Sequence, residues 1–343
     1  MNINLIPLSS DDLESWWLRV PGARRFLGAI VSEAELNKAV VADIANTDID
    51  GFVSIFTDII QRRNYSTVIE HLELNQPIEL DDFITDLAIK FDPNYVPDLM
   101  SDSMIMDVAS KNVLSGYIIF IKVNSKVNWL SDLVSDFNKI DSSSKGSLIF
   151  LTSDDDMPSQ ITMKTKDYIL PYDVQFFAFN ILEDTKLSQT EKLFTATLTS
   201  KLAGTSAIIA KNLASTELFF NGQSFAEEVL SENFNSHKFN RALWETQIQF
   251  ALPIVESIRE KLIDKKLPEL KQLLPVADEF GKFLDNPWDM ELRHLHFYGG
   301  SAKLFSQNDW EILELVYRVR NDLSHLDSID VERLEKVLEL SEA

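Results

Sequence analysis

Five short apolar runs, parted by stretches with helical spacing, constrain this chain more than any other feature. Ala39 to Ile44, Thr67 to Leu72, Tyr117 to Lys122, Ser147 to Thr152 and Val174 to Asn180 read as buried strands. Between them, residues 23–37 space their apolar positions as a helix does. Phe52, Ile55, Phe56, Ile59 and Ile60 trace one helical face, and NWLSDLVSDFNKI supplies another helix. Parallel strands need crossover connections, so strands alternating with helices predict a mainly parallel five-stranded sheet covered on both faces.

From Leu187 to Ala214 the pattern turns wholly helical, with Gly204 as a C-cap, which predicts a helical lid. A polar stretch, Ser231 to His237, leads into a second helical block. Its first helix, NRALWETQIQFALPIVESIREKLIDKK, kinks at Pro253. The next begins after Asn308 as N-cap, with Glu311 as capping partner and Ile312, Leu315, Val316, Val319, Leu323 and Leu326 as its apolar stripe. VERLEKVLEL forms a third. The predicted organisation is an α/β domain over 1–185, a helical lid and linker over 186–236, and an all-α bundle over 237–343. No internal repeat is present.

Composition then narrows the chemistry. The chain has no cysteine, which removes disulfides, thiolate zinc sites and cysteine nucleophiles. MNINLIPLSSDDLESWW lacks a basic start and meets Asp11 and Asp12 early, and apolar runs such as Tyr117 to Ile121 fall far short of the roughly 20 residues that span a bilayer. These features predict a soluble cytoplasmic protein with no membrane partner. The net charge of −22 opposes broad non-specific binding to nucleic acid, but it is uneven. Residues 237–343 carry 14 basic and 20 acidic side chains, a net of −6, leaving −16 on 1–236.

One motif in the less acidic part carries chemistry: Arg320-Asn321-Asp322-Leu323-Ser324-His325. Histidine exchanges protons near neutral pH, and arginine braces a phosphate through a bidentate fork. Five positions on a straight helix set Arg320 and His325 roughly 140° apart, so they converge only if the helix ends between them or two chains share one site. Asn321 lies on the face of His325 and could orient its ring. The plainer alternative makes Arg320 a surface ion pair and His325 a helix-end residue favoured by the macrodipole. Asp322 is a candidate partner for a basic residue, and Glu256 a supporting group of undefined role. His294 and His296 lack a third metal ligand and read as partly buried, hydrogen-bonded histidines. Trp16, Trp17 and Trp288 read as core or docking aromatics.

The order and spacing of the strands, with a helical segment behind them, resemble a P-loop ATPase of the AAA+/STAND type over residues 16 to 230. That family carries G-x-x-x-x-G-K-[ST] after its first strand. Here the turn is ANTDIDGF, with one glycine, no lysine and two aspartates, and the third strand ends YIIFIKVNS without the acids that would hold magnesium. The resemblance therefore implies an inactive domain, with no ATPase activity and no cofactor. A different doubly wound scaffold remains the alternative, and no strand is followed by G-x-G-x-x-G.

The helical block with RNDLSH is similar to the HEPN superfamily over about Lys238 to Leu340. That resemblance implies a metal-independent ribonuclease site formed across a homodimer of the C-terminal domain, with Arg320, Asn321 and His325 as its catalytic residues and RNA as substrate. Such fusions resemble bacterial conflict and phage-defence proteins, implying protein partners of such a system. A non-catalytic adaptor is the alternative from a different class; an acidic N-terminal domain acting as inhibitor or nucleic-acid mimic is a third. A basic groove around Arg320 made by Arg318, Arg293, Lys303 and Arg241 would favour the enzyme, and an acidic surround the adaptor.

Overall fold

The structure is a computed structural model that describes residues 5–44, 48–98, 100–152, 162–277, 281 and 283–341. The chain divides into two compact units, Asn4–Phe177 with Ala203–Asn212, and Ala178–Leu202 with Leu213–Ala343. In chain order the first half carries α1 (Ser10–Glu14), a π-helical turn (Ser15–Arg19), α2 (Pro21–Glu35), β1 (Ala39–Asp43), α3 (Ile49–Arg63) and β2 (Val68–Leu74). Then come α4 (Leu80–Phe91), α5 (Met104–Ser110), β3 (Tyr117–Val123), α6 (Leu130–Lys139), β4 (Ser147–Thr152), β5 (Thr162–Lys164), α7 (Thr165–Tyr168) and α8 (Pro171–Ile181). The second half is mainly helical: α9 (Gln189–Ala203), α10 (Ala207–Leu213), α11 (Thr216–Leu230), α12 (Ser236–Lys265), α13 (Leu267–Leu273), α14 (Leu292–His294), α15 (Gln307–Ser324) and α16 (Val331–Glu339). The expected all-α block also holds a two-stranded antiparallel sheet, β6 (Val276–Ala277) with β7 (Phe283–Leu284), because backbone pairing between two-residue segments leaves no period in the sequence.

The five strands form one parallel sheet in the order β2-β3-β4-β1-β5. Side chains alternate across it, as the pleat requires. Ala39, Val41, Ile119, Ile121, Leu148 and Phe150 share a core with Phe83, Leu87, Val108, Leu133 and Phe137 from α4, α5 and α6. Phe120 points the other way, edge-on to Phe56 at 4.9 Å and to Phe52 at 6.3 Å on α3. Trp16 and Trp17 are wholly buried, Trp17 against Phe52 and Phe26. From β1 the chain crosses toward β2 at one edge, and from β4 toward β5 at the other. The carboxyl ends of β1 and β4 therefore flank the point where connections diverge, the place where open α/β sheets take ligands.

Two further assignments need correction. Val174 to Asn180 is not a strand but the body of α8: Val174, Phe177, Ala178 and Leu182 are buried while Phe176 is exposed, a spacing of three and four. Pro171 at the first helical position and Asp173 in the first turn mark its start. The fifth strand is instead the three residues of β5, paired with β1. In the second unit, α15 starts earlier than Asn308: Ser306 is its N-cap and accepts from the Asp309 amide. A serine hydroxyl and the Asp309 carboxylate reciprocate there, with Ser306 Oγ donating to Asp309 at 2.7 Å.

Asp309 also carries a prediction. Lys265 Nζ stands 2.7 Å from it, and that bond first, then those from Ser306, hold its carboxyl below the ordinary aspartate range. A depressed carboxylate contributes stability that is complete above its unfolded pKa and is lost as pH falls through the lower folded value. Acid unfolding of Asp309→Asn, followed by circular dichroism below pH 3.8, should therefore show a shallower limb than wild type.

The helical unit is held by α12, one helix of 30 residues with Pro253 inside it. Its buried Gln247 clamps the loop before α16, donating to the Ile329 carbonyl at 2.7 Å and accepting from the Ile329 amide at 2.9 Å. Gln247→Leu keeps the bulk but orphans both buried backbone groups, at about 1–3 kcal/mol each. Urea denaturation should register the loss, and the Ile329 amide should lose protection from hydrogen exchange.

Candidate functional site

Two places matter, and the first is the turn after β1. Ala45, Asn46 and Thr47 lie outside the described residues. Asp48 caps α3 and accepts from the Gly51 amide at 3.1 Å, so a backbone donor that a phosphate cradle would offer its ligand is taken by the chain's own carboxylate. A Cβ on Gly51 would stand 2.3 Å from Leu13 Cδ2, so the turn is also tightly covered. With Gly51 set as the last glycine of G-x-x-x-x-G-K, the lysine position falls on Phe52, which is fully buried. Lys122, near the end of β3, lines a cavity of about 440 Å³ beside the start of α3, with Asp50, Asp58, His71 and Glu73.

The second place is the end of α15. Trp244 Nε1 donates to the Leu323 carbonyl at 2.9 Å, and Arg333 pairs with Asp322 at 2.5 Å and with Asp330 at 2.6 Å. With the Gln247 clamp, these contacts pin the helix terminus from α12 and α16. Asp322 thus has the basic partner expected of it.

Helix α15 runs unbroken to Ser324, and His325 is its C-cap. Arg320 and His325 are therefore not brought together within one chain. Both are exposed and Asn321 is half-buried. Among the described residues, neither the Asn321 side-chain amide nor the His325 ring has a hydrogen-bond partner, so Asn321 does not hold the imidazole here.

Arg320 instead reaches Glu291, at 3.7 Å, on the wall of a cavity of about 400 Å³. A second arginine that the sequence did not single out, Arg259, lines the same cavity. It forks onto Glu256 at 2.6 and 3.0 Å and donates to the carbonyls of Trp288 and Met290. Arg259 holds the Glu256 carboxyl below the ordinary range, which makes Glu256 a partner of Arg259. Neighbouring cations are similarly engaged: Arg318 with Glu314 at 2.5 Å, Arg293 with Glu291 at 3.3 Å, and Arg241 with Glu245 at 2.9 Å. Lys303 lines a different cavity.

The two nearby histidines have separate tasks. His294 Nδ1 accepts from the Glu291 amide at 2.9 Å, and His296 Nε2 lies 2.6 Å from Glu314. Among the described residues no group of three or more His, Asp or Glu side chains is placed to hold a metal ion. No helix of the described residues is long and apolar enough to cross a membrane.

No family model matches this chain, and no curated protein does. Among solved structures, it is similar to a chain described as the structure of Drosophila ORC bound to DNA. Identity there is 11% with a TM-score of 0.39, over 98% of this chain and 95% of that one, a likeness from which neither fold nor function transfers.

Proposed function

We propose that the helical unit is a HEPN-like ribonuclease module that works as a homodimer, and that the α/β unit is a P-loop-like sensor or scaffold that does not turn over ATP. A place among bacterial conflict and phage-defence proteins, with protein partners there, follows from the same resemblance. The observation that carries the reading is the end of α15. Arg320, Asn321 and His325 sit on a terminus pinned by Trp244, Gln247 and Arg333, while the Asn321 amide and His325 ring are left without partners by the described residues. Fixed but uncommitted groups are what a site completed by a second copy needs.

In such a site His325 takes the proton from a ribose 2′-OH as its oxygen attacks the adjacent phosphorus. Arg320 steadies the charge growing on the phosphate oxygens. The P–O5′ bond breaks and the leaving oxygen is protonated, giving a 2′,3′-cyclic phosphate and a 5′-hydroxyl. The test is incubation of total RNA with the protein in EDTA, with mapping of the ends. Cyclic-phosphate ends that vanish in Arg320→Ala and His325→Ala support the ribonuclease.

A second reading, a non-catalytic adaptor, is favoured by the carboxylates around Arg320. Glu291 faces it, and Arg318, Arg293 and Arg241 each have an acidic partner, so among the described residues these cations form no open basic groove around the motif. Intact RNA, together with harmless expression indifferent to both substitutions, would favour the adaptor.

A further inference from the structure

We propose that the cleft bounded by His296, Phe297, Phe305 and Trp310 is a nucleotide site, which takes a base against its aromatic rings and the phosphate on Lys303. The proposal is independent of cleavage at Arg320 and His325.

The cleft measures about 490 Å³, within the range of small-molecule sites. Its ring wall is fixed before any ligand arrives. His296 is stacked between Trp310, at 4.8 Å and 29°, and Tyr317, at 4.6 Å and 18°. Its Nε2 is tied to Glu314 at 2.6 Å. Two glycines let the rings pack directly on the backbone: a Cβ on Gly299 would lie 2.3 Å from Phe305, and one on Gly300 2.7 Å from Trp310, so both rings are held in place. This backbone includes the π-helical turn Leu295–Gly299, a geometry frequent at functional sites.

Phe297 is 65% exposed, although its ring is braced edge-on at 5.0 Å by Tyr298, which is itself bonded to the Ala277 carbonyl. A large ring held open to water presents a stacking face. Lys303 supplies the charge. Its backbone sits in the left-handed region at φ +53°, its side chain is exposed, and among the described residues no carboxylate pairs with it, unlike Arg318 and Lys265. A neutral aromatic ligand would leave that ammonium unused, and a simple anion would leave the rings bare; a nucleotide engages both.

Such a nucleotide could be free or the end of a single strand. Trp310 precedes Arg320 by about 15 Å along α15, near enough for one short strand to touch both. The deciding experiment titrates the 343-residue chain with AMP and, separately, with 5′-phosphorylated hexaadenylate at low salt, by calorimetry and tryptophan fluorescence. Wild type, Phe297→Ala and Lys303→Glu are compared; both substituted side chains are exposed, and circular dichroism checks their folding.

We expect saturable binding of at least one probe, weakened about 5- to 150-fold by Phe297→Ala and made less salt-sensitive by Lys303→Glu. Binding of AMP identifies a free nucleotide as ligand; binding of the oligonucleotide alone identifies a strand end. No saturation by either probe at millimolar concentration, or binding that both substitutions leave unchanged, overturns the site. The double variant Arg320→Ala/His325→Ala should bind AMP as wild type does, because a single nucleotide on Lys303 does not span the roughly 15 Å to Arg320, which separates this site from the cleavage reading.

Discussion

Chains carrying Arg320→Ala or His325→Ala are each expected to lose metal-independent RNA cleavage by about 10²- to 10⁴-fold, and an equal mixture of the two to recover about a quarter of the wild-type rate. The recovery follows from geometry. An unbroken α15 keeps Arg320 and His325 on different faces, so the arginine of one copy must meet the histidine of the other. Random exchange makes about half of the dimers mixed, and each mixed dimer has one intact site and one doubly damaged one. A site contained in a single chain would recover nothing on mixing. Measuring initial rates after subunit exchange therefore tests the architecture of the site separately from its chemistry. An inert mixture, with each parent also inert and wild type active, would require α15 to bend between the two residues.

The second large effect concerns Phe52→Lys, which puts at this position the residue type that a Walker turn carries but places it in the aromatic core. Trp17 lies 5.1 Å from the Phe52 ring, with Phe26 at 6.2 Å and Phe120 at 6.3 Å. Loss of the ring and burial of an unpaired ammonium should destabilise the α/β unit by about 3–5 kcal/mol or more. Phe52→Leu, which buries no charge and leaves a smaller cavity, should cost less, about 1–3 kcal/mol. Urea denaturation measures both. We also expect no binding of magnesium ATP by the lysine variant, because Asp48 still occupies the Gly51 amide and Lys122 stands near the end of β3 where an acid is needed. A folded Phe52→Lys chain that bound ATP would show that the cradle survives.

How far the sequence was legible depended on the length of each signal. The four longer strands declare themselves because five to seven apolar-rich residues between helical segments leave few alternatives. Strand β5 has three residues, too few to set up a period, and its place in the sheet comes from pairing with β1. Val174 to Asn180 misled because VQFFAFN is apolar enough to satisfy either period; Pro171 and Asp173 were the available cue for a helix. Around the candidate site, one helix carries the whole motif and is visible as a run. Its partners are not: Glu291, Arg259, Trp244 and Gln247 come from other elements, and only folding sets them beside Arg320 and the end of α15. The close approach of Leu13 to Gly51 is invisible in sequence for the same reason.

The Asp48 cap on α3 has a thermodynamic corollary. Where a turn depends on an external anion to satisfy its first amides, ligand concentration enters the folding equilibrium by mass action, and the melting temperature climbs with the nucleotide pool. With Asp48 on the Gly51 amide that donor needs no such anion, so the α/β unit is expected to melt at the same temperature with and without added nucleotide.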